Sequence, residues 1–127
     1  MNKERYVSYE IAKLLKEKGF DWGCNGHWYI GESKTFEISP SINPINWNEV
    51  KTDLDWLSCP TQQMACDWLE ETYGLFIKIG RSMDINSNYY YSYNVLDKDN
   101  TGQIKSIRPS KEEAIGAALL YCLKNIV

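Results

Sequence analysis

The chain has 127 residues, 24% of them charged and 43% apolar, the composition of a folded globular protein rather than a disordered or fibrous one. Its 17 acids against 14 bases leave a net charge of −3 without a basic run, so unspecific nucleic-acid binding is not expected, and the acidity is too mild for a DNA mimic. The start, Met-Asn-Lys-Glu-Arg, is polar and no stretch approaches a membrane span, which gives the expectation of a cytoplasmic, single-domain protein over residues 1–127 with no membrane partner.

In chain order, Ser8 is placed to cap a first helix over about Tyr9–Lys18, with Ile11, Leu14 and Leu15 as its apolar stripe. Glu10 suits the positive end of that helix, and Lys16 and Lys18 the negative end. Gly19 closes it and Phe20 folds back onto the last turn. His27–Ile30 and Thr35–Ile38 read as the strands of a hairpin. For Trp28 and Ile30 to share a face with Phe36 and Ile38, the connection must hold an odd number of residues, roughly three or five. Residues 39–57, with Pro40, Pro44 and several Asn and Ser, read as a long loop with a short helical turn near Asn48–Leu54. Trp47, Val50, Leu54, Trp56 and Leu57 give that loop apolar content. A loop this long inside a small domain either carries function or conceals an element.

Cys59 to Leu75 is the most self-consistent stretch. Thr61 is a good N-cap, with Ser58 and a first-turn Pro60 as the competing placement. Met64, Ala65, Trp68, Leu69 and Tyr73 share one helical face, and Gly74 with Leu75 repeats the glycine-plus-apolar stop. Leu75–Ile79 then reads as a strand, Gly80–Asn88 as a polar loop, and Tyr89–Leu96 as a strand with Tyr89, Tyr91, Tyr93 and Val95 on its inner face. A turn over Lys98–Thr101 sets Gly102 opposite Asp97 and Ile104 opposite Val95. Ser110 with Glu113 is a capping box opening a last helix from Lys111 to about Asn125. Ala114, Ile115, Ala118, Leu119, Cys122 and Ile126 are its inner stripe. The expected fold is therefore α+β, in the order α-β-β-(loop)-α-β-β-β-α. An antiparallel sheet of about five short strands carries three helices mainly on one face, with a helix on each side as the alternative.

No chemistry-bearing pattern stands out. The four cysteines, Cys24, Cys59, Cys66 and Cys122, lack zinc spacing and are expected as reduced thiols. Asp97, Asp99 and Gly102 imitate the start of a calcium loop, but the position that needs a bidentate Glu holds Arg108. There is no phosphate-binding glycine motif, and neither a metal nor a cofactor is expected. His27 is the only histidine and stands three residues after Cys24. A catalytic or nucleotide-binding site around Cys24 and His27 is the alternative function, although no orienting carboxylate or oxyanion site accompanies the pair. Trp22, Trp47 and Trp56 lie outside the regular elements, and tryptophans on loops are enriched at interaction surfaces. These three are the candidate protein-binding residues.

The stretches 6–20 (YVSYEIAKLLKEKGF), 59–69 (CPTQQMACDWL) and 112–123 (EEAIGAALLYCL) resemble a group of small proteins of unassigned function encoded by Bacteroides-type bacteria and their phages or prophages. The last helix is also similar to the end of phage proteins in which helices sandwich a sheet. The resemblance implies a phage or mobile-element origin and carries no catalytic residue. Together with the tryptophans it points to a non-enzymatic accessory protein that binds another protein.

Overall fold

The computed structural model describes residues 5–39, 44–52, 55–99 and 102–127, the side chains of 102–106 excepted. Pro40, Leu54, Asn100 and Thr101 of the expected loop and turn lie outside the described residues, as does the side chain of Ile104. The chain is α+β and divides into two compact units, Met1–Met64 and Ala65–Val127. In place of one sheet of about five strands there are two antiparallel three-stranded sheets, one per unit.

The first unit holds α1 (Tyr9–Glu17), β1 (Gly26–Ile30), β2 (Lys34–Ile38), a single 3-10 turn (Trp47–Glu49) and β3 (Asp55–Ser58), with the sheet ordered β2-β1-β3. Ser8 Oγ accepts from the Ile11 amide at 3.2 Å, the expected cap. At the other end Gly19 has φ +91°, the Phe20 amide reaches back to the Leu15 carbonyl at 2.9 Å, and the Gly19 amide reaches Lys16 at 3.1 Å. That pair of bonds satisfies the last carbonyls, and only glycine holds the left-handed position cheaply. The hairpin loop has three residues, Gly31–Ser33, and the register pairs Trp28 with Phe36, as the parity of the apolar positions requires. α1 packs on that face: Tyr9 meets Trp28 edge-on at 5.4 Å, and Leu57 of β3 is buried there.

β3 is the element the sequence conceals. Its four residues, Asp55–Ser58, show too little alternation to announce a strand. The register nonetheless sets Leu57, buried, beside Trp28 on one face and Trp56, half-buried, beside Tyr29 on the other.

The second unit begins within α2 (Gln62–Tyr73), whose N-cap is Thr61: its Oγ1 accepts from the Met64 amide at 3.2 Å, so the competing cap at Ser58 is not used. Ala65, Trp68 and Leu69 are buried, but Tyr73 is exposed at the helix end. Gly74 closes the helix at φ +70°, and the Leu75 side chain is buried. The sheet is β4 (Phe76–Met83), β5 (Tyr89–Leu96) and β6 (Gly102–Arg108) in that order, with α3 (Lys111–Asn125) packed on it. β4 continues through the supposed polar loop to Met83, because Gly80–Met83 pair with Tyr89–Ser92 and the Arg81 guanidinium lies 4.4 Å over the Tyr89 ring. The true turn is Asp84–Asn88, where Asp84 Oδ1 accepts from both Asn86 and Asn88 amides at 2.9 Å.

Between β5 and β6 the register sets Gly102 opposite Leu96 and Ile104 opposite Asn94, one residue off the expected pairing. The irregularity between Ser92 and Asn94 shifts it back, so that Ser92 faces Ile107. In α3 Ser110 Oγ accepts from the Glu113 amide at 3.2 Å. The buried stripe is Ala114, Ala118, Leu119, Cys122 and Leu123; Ile126 is exposed, because the helix ends at Asn125 before its side chain can return to the core.

Candidate functional site

The face of the β2-β1-β3 sheet opposite α1 carries the site. Antiparallel partners share a face. The register therefore lines up Thr35, Tyr29 and Trp56 in one row and Glu37, His27 and Ser58 in the next. Residues 44–50 fold over the second row. The Cys24 amide donates to the Ile45 carbonyl at 3.0 Å, and Gly23 lies so close to the Pro44 carbonyl that a Cβ would sit 2.7 Å from its oxygen.

The 3-10 turn is pinned by Asn48, whose two side-chain atoms face opposite ways. Asn48 Oδ1 accepts from the Ser58 amide and its Nδ2 donates to the Phe20 carbonyl, both at 2.9 Å. The Asn48 amide in turn donates to Asn46 Oδ1 at 3.1 Å and to Ser58 Oγ at 3.3 Å. One side chain thus fastens the turn to the end of β3 and to the exit of α1.

That anchoring sets Trp47 on His27, with ring centroids 3.9 Å apart and planes 24° from parallel. Trp56 adjoins both, 5.5 Å from Trp47 and 5.4 Å from His27, and Tyr29 lies 5.5 Å from Trp56. Both indole N–H groups are occupied: Trp47 Nε1 donates to the Cys24 carbonyl at 2.8 Å and Trp56 Nε1 to Thr52 Oγ1 at 2.6 Å. The rings are therefore fixed in orientation, while Tyr29, Trp47 and Trp56 remain half-buried and His27 is buried beneath them.

Of the sequence-predicted residues, the structure joins Trp47, Trp56 and His27 in one cluster. Trp22 is not part of it; its ring neighbour is Phe20, at 6.4 Å. The two loop tryptophans are covered to a similar degree. Both are half-buried, and it is the hydrogen bond of Trp56 that lies in the open and that of Trp47 that is partly covered. Tyr29, Glu37 and Asn48 were not singled out from the sequence, although the alternation along the hairpin puts Tyr29 and Glu37 on the His27 face.

Cys24 and His27 go separate ways. Cys24 Sγ donates to the Gly26 carbonyl at 3.2 Å, and burial pushes its thiol pKa up. It lines a cavity of about 150 Å³ with Tyr6, Asn25, Pro44, Thr61 and Met64, and His27 is not among the lining residues. His27 Nε2 stands 4.0 Å from Glu37 Oε2. Burial lowers the imidazole pKa, and the nearby Glu37 carboxylate offsets this only in part. At neutral pH the ring is uncharged.

Cys59 and Cys66 are held at about 12, and Cys122 at about 11, by burial, so none presents a thiolate. Among the described residues no group of three or more His, Cys, Asp or Glu is gathered to hold a metal, and no helix is long and apolar enough to cross a membrane.

Compared with family models, curated proteins and solved structures, the chain matches none. The functional reading therefore rests on the geometry of this face.

Proposed function

We propose that the chain is a small non-enzymatic accessory protein of a phage or mobile element, acting in the cytoplasm by binding another protein through the Trp47–Trp56 face. The observation that carries the reading is the set of half-exposed aromatic rings whose indole N–H groups are already bonded within the protein. Trp and Tyr dominate the energetics of protein interfaces. A ring held in place beforehand avoids the cost of ordering it on binding, about 0.5–1.5 kcal/mol per side chain. Trp47 covers His27 and belongs partly to the fold, so Trp56 and Tyr29 are the contact residues proper. The phage setting rests on the resemblance of the three helices. The net charge of −3 disfavours nucleic acid as the partner.

The alternative, an enzyme or nucleotide-binding site at Cys24 and His27, has no supporting geometry. The thiol is bonded to a main-chain carbonyl, and the imidazole lies under Trp47.

A photo-crosslinking amino acid at Thr35, beside Tyr29 on this face, tests the proposal in the producing cell. One discrete protein adduct that disappears in Trp56→Ala is the expected result. No adduct, or an adduct indifferent to Trp56→Ala, contradicts it.

A further inference from the structure

Among the described strand residues that share this face, Glu37 is the charged one. Its side chain is 54% exposed, and the histidine 4.0 Å away is buried. Because that imidazole is neutral at ordinary pH, the carboxylate beside the aromatic cluster has no compensating charge from it. Two nearby lysines are engaged elsewhere: Lys16 Nζ donates to the Trp56 carbonyl at 3.1 Å, and Lys34 Nζ lies 4.0 Å over the Tyr9 ring, on the α1 side of the sheet.

In the register, Tyr29 is paired with Thr35, so Glu37 is its diagonal neighbour across the strand pair. Such neighbours are roughly 7–8 Å apart at the backbone, within reach of one long side chain. The face thus offers two π surfaces, Tyr29 and Trp56, tilted 44° to one another, with a carboxylate at one side.

We infer that the partner presents an arginine to this face, its guanidinium lying on Tyr29 and Trp56 and its charge answered by Glu37. The inference rests on the protein-binding reading above and names the chemistry of the partner. Arginine fits better than lysine for three reasons. The guanidinium is planar and stacks on open rings, it is weakly hydrated, and its fork can address a carboxylate while the plane lies on an aromatic face. A purely apolar side chain would leave Glu37 beside a dry contact without a partner, which costs affinity.

The test is selection from a displayed library of random peptides on the immobilised full chain. Enriched peptides are expected to contain arginine. Replacing that arginine by citrulline, which keeps the shape and removes the charge, should weaken binding about ten-fold or more. Glu37→Gln should weaken it by about five- to ten-fold with an unchanged melting temperature, since Glu37 is at the surface. Peptides that need Trp56 but tolerate both citrulline and Glu37→Gln would overturn the inference and leave the binding reading standing. A selection in which no peptide depends on Trp47 or Trp56 overturns both.

Discussion

Asn48→Ala is the sharpest test of how the site is assembled. The Asn48 side chain accepts from the Ser58 amide and donates to the Phe20 carbonyl, each at 2.9 Å, and Ser58 and Phe20 are both buried. Removing it strands the buried Ser58 amide and takes one donor from the Phe20 carbonyl. A stranded group of this kind costs about 1–3 kcal/mol, which is the loss expected here, less a few tenths regained in side-chain entropy. Urea unfolding followed by tryptophan fluorescence would measure it. Asn48→Asp is the companion: it keeps an acceptor for the Ser58 amide but turns a carboxylate oxygen toward the Phe20 carbonyl, so it should be no more stable than Asn48→Ala. A loss below about 1 kcal/mol for Asn48→Ala, or recovery in Asn48→Asp, would mean that Asn48 does not anchor the turn and that Trp47 is held by other contacts.

Other outcomes follow from the buried groups. Trp68, 2% exposed and edge-on to Tyr73 at 5.5 Å, should cost about 3–5 kcal/mol when changed to Ala; a loss below about 1 kcal/mol in a urea melt would mean that α2 buries a different face. The four cysteines are free and their pKa values are raised by burial, so a disulfide-exchange reagent at about pH 8 should titrate all four rapidly in denaturant and slowly in the native protein; one fast native thiol would contradict the thiol environments described. The folded-state pKa of His27 lies below its unfolded value, so the unfolded chain takes up the proton first as pH falls through about 6.5. Stability should therefore decline from about pH 7 toward pH 5.5, and melting temperatures of His27→Gln should show less of that decline; an equal slope in the variant would place the titration elsewhere.

Local signals carried the helices. Ser8, Thr61 and Ser110 cap as their hydroxyls suggest, and Gly19 and Gly74 stop their helices in the left-handed region. Each is decided by a few neighbouring residues. Parity gave the first hairpin for the same reason, because apolar positions on two strands must meet on one face. What escaped was set by distant partners. β3 is a strand because it pairs with β1, not because Asp55–Ser58 alternate, and β4 persists past Gly80 because β5 is there to pair with it. The irregularity at Ser92–Asn94 shifts a register that no local pattern announces.

The candidate site was half legible. Trp47 and Trp56 stood out by type and position. Their meeting over His27 depends on Asn48 bridging segments 28 and 10 residues away, and nothing in the composition of the loop reveals that.

The central claim is that the Trp47–Trp56 face recognises a protein. The most direct measurement is the affinity of the crosslinked partner, once purified, for the wild type and for Trp56→Ala, beside their unfolding free energies. A contact residue of this kind should cost at least about 2 kcal/mol of binding, roughly thirty-fold in Kd, while stability falls by less than about 2 kcal/mol because Trp56 is only half-buried. An affinity within about three-fold of wild type would contradict the account.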